Sequence, residues 1–138
     1  MPEFGTIGSR TSAATVQGSG RQTGQIAAVA SLATFTVGGA DGSFYVSANL
    51  QVTAVTLANV TVNCDYTDET NTPRTLILTF TNLIGTLLSV ITNTLGVGPY
   101  AGVSTHIRAK AGSQIKVYTT GTFTSITYNV EGVILQVL

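Results

Sequence analysis

A chain of 138 residues is long enough to bury a core and short enough to make one domain. Six Lys plus Arg balance six Asp plus Glu, and charged residues make up only 9% of the chain, against roughly 25% in an average globular protein. Without clustered cations, binding to nucleic acid or to an anionic membrane has no footing, and 43% apolar residues exclude disorder of the whole chain.

With so few charges the exterior must be mostly Thr, Ser, Asn, Gln and Gly, a neutral surface suited to being covered, which points to an assembled protein. Cys64 is the single cysteine, so no internal disulfide forms, and there is no Cys/His array for zinc. No N-terminal stretch has a basic flank before an apolar core, and no run approaches the ~20 apolar residues of a membrane span. The chain reads as soluble, made without Sec export.

Residues 1–25 are rich in Gly, Ser, Thr and Gln and have no period of 2 or 3.6, so they read as an arm that orders on a neighbour. Residues 26–138 read as one β domain. From Ile26 the pattern is of apolar residues alternating with Thr, Ser and Asn. A first strand is expected within Ile26 to Val37. In Ser43 to Ala54, Phe44, Val46, Ala48, Leu50 and Val52 point inward while Tyr45, Ser47, Asn49, Gln51 and Thr53 point outward. The next strand repeats this with Val60, Val62, Cys64 and Tyr66 inward and Thr61, Asn63, Asp65 and Thr67 outward. A hairpin turn over 67–73 leads to a strand from Arg74 to Phe80, with Leu76, Leu78 and Phe80 inward.

Residues 82–96 break the alternation. Leu83, Ile84, Leu87, Leu88, Ile91 and Leu95 recur at helical spacing between an Asn82 cap and Gly96, which predicts a short helix, with a buried, bent strand as the competing reading. A loop over 96–102 follows. Three strands close the chain, at Ser104 to Lys110, Gln114 to Thr120 and Thr124 to Val137, with turns at 111–113 and at Gly121. In the last, Ile126, Tyr128 and Val130 are even but Val133, Leu135 and Val137 are odd, so a β-bulge is expected at Glu131-Gly132. About seven strands at this spacing predict an all-β fold, a two-sheet antiparallel jelly-roll-like sandwich.

His106 is the only histidine, and Ser104 shares its strand face, but no G-x-S-x-G elbow or positioned carboxylate accompanies them. The pair therefore reads as structural or interfacial, with the imidazole able to make assembly sensitive to pH. Asp65, Asp68, Glu69 and Asn71 offer hard oxygen ligands that a calcium ion could use, or cap the backbone of a solvated turn. Gly18, Gly20 and Gly24, and Gly96, Gly98 and Gly102, miss the spacing of phosphate-binding loops. Asn59-Val60-Thr61 is a glycosylation sequon in a strand. Tyr66 and Tyr128 lie on inward faces. Tyr45, Tyr100 and Tyr118 are left as platforms for sugar stacking or for subunit contacts. Arg108, Lys110 and Lys116 are expected to line one sheet face, partly neutralised by Glu131. Neither catalytic residues nor a cofactor or metal are expected.

The strings DGSFYVSANLQVTA, CDYTDETNTPRTLILTF and GPYAGVSTHIRAKAGSQIKVYTTGTFTSITYNVEGVI, within Asp41 to Leu138, resemble small β-sandwich structural proteins of tailed bacteriophages. The strand from Ser43 to Val52, the turn at 111–113 followed by QIKVYT, and the apolar closing strand are more distantly similar to the trimeric heads of the C1q and tumour-necrosis-factor class. The resemblance implies a non-enzymatic virion protein, assembled in the host cytoplasm as capsid decoration, head fibre or tail component. It further implies a homotrimer that partners a major capsid or tail protein through its N-terminal arm. On that reading Leu95, Val97, Tyr100 and Val103 carry oligomer contacts, and Phe4, Ile7, Arg10 and Arg21 anchor the arm. The alternative is a head domain that binds a receptor or a cell-surface glycan through exposed tyrosines.

Overall fold

The computed structural model describes residues 14–79, 98–101 and 104–137. Every regular element among them is a strand: β1 (Thr15–Gln25), β2 (Ala33–Thr36), β3 (Gly42–Thr67), β4 (Pro73–Thr79), β5 (Gly98–Ala101), β6 (Thr105–Ala109) and β7 (Gln114–Val137). All pairings are antiparallel, and the fold is the expected all-β, jelly-roll-like one.

The frame is a ribbon of β3 and β7, paired from Ser43↔Val137 to Asp65↔Lys116. A straight strand of 26 residues would be roughly 85 Å long at ~3.3 Å per residue. Instead both ends of β3 meet β6: Gly42 pairs with Ala109, Asp68 just beyond β3 bridges to the same residue, and Lys110 N donates to Thr67 O at 2.9 Å. The ribbon is therefore folded back on itself. The bend falls where the register slips, at 52–54, 55–57 and 57–59 of β3. One half carries β1 beside β7, with β5 and β6 beside β3. The other carries β2 beside β7 and β4 beside β3.

The inward faces of the two halves make one core. Phe44, Val46, Ala48, Leu50 and Val52 from the first half of β3 join Ala58, Val60, Val62 and Cys64 from the second, as the alternation predicts. Ile115 and Val117 face Ile126, Tyr128, Val130 and Ile134 within the same cluster. The two layers approach closely at Gly132, where an added methyl would lie 3.0 Å from Leu32 and 3.1 Å from Val117.

Several expectations are corrected. The two expected strands within 43–66, and the two within 114–137, are single bent strands, because each continues through the corner while keeping its partner. The regular part of 26–37 shrinks to β2. The phase slip of β7 lies at the corner and not at Glu131-Gly132: Ile115, Val117 and Thr119 are buried, then Ile126, Tyr128 and Val130, and the even set continues through Gly132 and Ile134. The ladder runs unbroken through 131–132 against Asn49 and Ala48. Of the arm expected over residues 1–25, Thr15–Gln25 is instead strand β1, laid along β7 of the same chain, and residues 1–13 lie outside the described residues. Its period was invisible because glycines do the packing. At Gly20 a methyl would sit 1.8 Å from Leu32 O, so only bare backbone lets β1 lie against the segment leading into β2. Residues 98–101 of the expected loop form β5. The predicted helix at 82–96 lies outside the described residues.

The corner depends on Gly121. Its φ of 151° is outside the range of L side chains, and a methyl there would meet Asn59 O at 2.1 Å. Substituting Gly121→Ala is expected to cost about 3 kcal/mol through strain and overpacking, read as a lower urea midpoint with an unchanged slope.

Candidate functional site

The outer faces of the two halves differ in chemistry. On the half carrying β1, β7, β3 and β6, the register sets Val16, Leu135, Tyr45 and His106 in one row across four strands. Val16 is 57% exposed and Tyr45 41%. The Tyr45 and His106 rings meet at 5.2 Å between centroids, tilted by 52°. Val133 and Val137, half-buried, flank Leu135 on β7. The result is an apolar strip with an aromatic end, flanked by the exposed Arg108–Glu69 pair at 3.0 Å.

This strip was hidden by the misplaced phase slip. Val133, Leu135 and Val137 read as core when a bulge is put at Glu131-Gly132, but without it they fall on the outer face beside Tyr45. The signal that could have revealed it was Gly121, the glycine nearest the true break in parity.

The half carrying β2, β7, β3 and β4 presents a polar face. Lys116 pairs with Asp65 across the ladder and its ammonium lies 5.2 Å from the centroid of the Tyr118 ring. Tyr118 Oη donates to Asp65 Oδ1 at 2.9 Å, and Thr75 Oγ1 donates to the same oxygen at 2.7 Å. Burial and then Asp65 push the Tyr118 hydroxyl up from its ordinary value, so it stays a donor. Ile77, 49% exposed, is the apolar residue at this face's edge.

The oxygen-rich hairpin is used by its own backbone. Asp68 Oδ1 accepts from Thr70 N at 3.0 Å, Thr70 Oγ1 at 2.6 Å and Thr72 N at 2.9 Å, while Oδ2 accepts from Arg74 Nε at 2.7 Å. Asn71 takes the left-handed conformation at φ 66°. Glu69 turns to Arg108 and Asp65 to Tyr118, so the oxygens that a calcium ion could use diverge, and the capped turn, the other reading of these residues, is what Asp68 forms. Among the described residues no three His, Cys, Asp or Glu side chains gather as a metal site. The Thr70 hydroxyl, then Arg74 and the Thr72 amide, hold the Asp68 carboxyl well below the usual carboxylate range.

The cations are likewise dispersed. Arg108 lies on the outer face of β6, where it also donates to Ser43 Oγ at 2.9 Å. Lys116 lies on the other half, and Lys110 sits in the turn after β6. Glu131 stands opposite Arg21 of β1 and Asn49 of β3, on the outer face of the same half as Arg108 but six residues along β7 from Val137 in Arg108's row, so the expected common face does not form. Arg21 itself is a β1 residue. Phe4, Ile7, Arg10, Leu95, Val97 and Val103 lie outside the described residues. Tyr100 belongs to β5 and pairs with Leu50. The sequon residue Asn59 accepts from Thr122 N at 3.0 Å through Oδ1, closing the corner. Gly18 and Gly20 pack β1 closely and Gly98 opens β5.

No protein-family model matches the sequence, and no curated protein matches it. Among solved structures, a chain of infectious bursal disease virus, Gx strain, shares the fold with a TM-score of 0.50 and 10% identity. The match covers 90% of this chain and 32% of that one, so this chain spans about a third of the viral chain's length. The capsid structure of Helicobacter pylori bacteriophage KHP30 gives a TM-score of 0.44 and 15% identity over 91% of this chain and 89% of that chain. The CBM22-1 xylan-binding domain of Paenibacillus barcinonensis Xyn10C gives 0.39 and 12% over 91% and 83%. At 10% identity the likeness to the infectious bursal disease virus chain is one of fold alone.

Two outcomes follow. Because Asp68 titrates below its unfolded value, its contribution is full above about pH 4 and is lost as pH falls through the depressed folded value. Asp68→Asn is expected to lower Tm at pH 7 and to flatten the acid limb of a Tm-against-pH curve. Cys64 is fully buried, and burial, then Asp65, push its thiol up to about 12. At pH 8 it is expected to be silent to a thiol reagent in the native state and to react with one equivalent after urea unfolding.

Proposed function

We propose that this chain is a non-enzymatic structural protein of a virion, and that it works by covering its neutral surface in an assembly. The observation that carries this reading is the row of Val16, Leu135 and Tyr45 that ends at His106 on an outer sheet face, with Val16 and Tyr45 exposed, in a chain with 9% charged residues. Surfaces of this kind are stabilised by burial against another protein. The fold held in common with a chain of infectious bursal disease virus supports placing that assembly in a virus particle.

The finer reading is a trimer, with contacts through Leu95, Val97, Tyr100 and Val103, anchored on a capsid or tail protein by Phe4, Ile7 and Arg10 ahead of β1. Three arms on one trimer would raise the apparent affinity without new contacts. Light scattering of the purified full chain should return three copies, and removal of residues 1–13 should leave that mass unchanged while abolishing co-sedimentation with particles. Particles purified from a culture that carries the gene should contain the chain by mass spectrometry. A chain that stays single at every concentration and is absent from particles overturns the reading.

The exposed ring of Tyr45 gives a second reading, a glycan-binding face. Binding on a glycan array that Tyr45→Ala abolishes would favour it over assembly.

A further inference from the structure

We propose that the outer edge of β1 pairs antiparallel with the β1 edge of a second copy of this chain, joining two β7-β1 sheets across a two-fold axis. The open edges of the described sheet are unequal. β2 and β5 have four residues each, β5 with Pro99 inside it; β6 has five, with Arg108; β4 has seven and opens with Pro73 and Arg74. Short length, proline and charge are the features by which proteins blunt an edge. β1 has eleven residues, no proline and a single charge, Arg21, which Glu131 faces across the ladder. Among the described residues, the ladder with β7 occupies one edge of β1, and β1 ends the strand order.

The sequence of β1 favours itself as the occupant. With all eleven residues overlapped, Gly20 lies on the two-fold, Ser19 faces Arg21 of the second copy and Arg21 faces its Ser19. The centre of this pairing coincides with the unbroken part of the ladder, Gly18 to Gln22 against Ile134 to Val130, so the edge is straight where it must match. Each Arg21 keeps its own Glu131 beside it, and like charges never stand directly opposite. The remaining facing positions are Thr, Val, Gln and Gly. Main-chain hydrogen bonds would supply affinity, as in strand addition generally.

Ser19 is exposed, so substitutions there test the contact without touching the core. Sedimentation equilibrium of the full chain over a concentration series, in low salt, should show a doubling step. Ser19→Lys, opposite Arg21 of the second copy, should weaken that step about tenfold, since the two-fold enters the change twice. Ser19→Glu should tighten it, and salt should shrink both effects. Hydrogen exchange should show concentration-dependent protection of the amides of residues 15–25. Thermal melts of both variants at low concentration should match the parent. Absence of a doubling step, a step that neither variant changes, protection confined to other strands, or association that requires a different protein would each overturn the proposal. A trimer that stays intact in Ser19→Lys leaves the trimer reading standing, and a pure monomer–dimer equilibrium overturns the trimer while supporting the edge contact.

Discussion

The structure rests on one constraint: a two-stranded ribbon longer than any domain of this size must fold in half and bury the same face twice. β3 and β7 stay paired through the bend, so both sheets are built from the same two strands and the core lies between the halves of one ribbon. Parity has to survive the corner. β3 manages this with slips that cancel, since both Phe44 to Val52 and Ala58 to Cys64 bury even positions. β7 does not, and changes from odd to even between Thr119 and Ile126. Gly121, held against Asn59 O, takes the backbone conformation that this change demands.

Much of the core was legible because side-chain alternation is a local property. Phe44 through Val52, and Cys64 and Leu78 inward with Ile77 outward, follow from period 2 alone. Three features were not legible, each for a physical reason. β1 packs through glycine backbone against the backbone carbonyls of Thr34 and Leu32, so it has no apolar period to read. A strand that bends and continues looks in sequence like two strands joined by a turn, because glycine serves both. And Asn63, outward by parity, is 93% buried because its amide is held by Thr120 Oγ1 at 2.8 Å beside the corner.

The candidate surface suffered from the same ambiguity. The point at which β7 changes phase decides the faces of Val133, Leu135 and Val137: a bulge at 131–132 would make them core, whereas the break at the corner puts them in the outer strip. The hairpin went the other way: acidic residues close in sequence looked like a ligand set, but the short reach of Asp68 to Thr70, Thr72 and Arg74 uses its lone pairs locally. Proximity in sequence overstated convergence in space, while strand register, which sequence does not display, brought Val16, Leu135, Tyr45 and His106 together from four separate segments.

The crossing from β1 to β2 shows how the halves are locked without charge. Residues 26–32 leave one sheet and enter the other with no regular structure of their own, so their backbone groups need partners from the core. Tyr128 Oη donates its one proton to Ala27 O at 2.6 Å, which leaves its oxygen to accept from the Thr119 hydroxyl at 3.0 Å. Thr119 Oγ1 in turn accepts from Val29 N at 2.7 Å, and Thr119 N donates to Val29 O at 2.9 Å. Tyr128 belongs to the second half of β7 and Thr119 to the first, so this chain of bonds spans the corner and pins the crossing to both layers. Buried, fully paired hydroxyls are strong because no water competes for them. The crossing is therefore locked by two neutral side chains and its own backbone, and no charged side chain among the described residues is buried in the core.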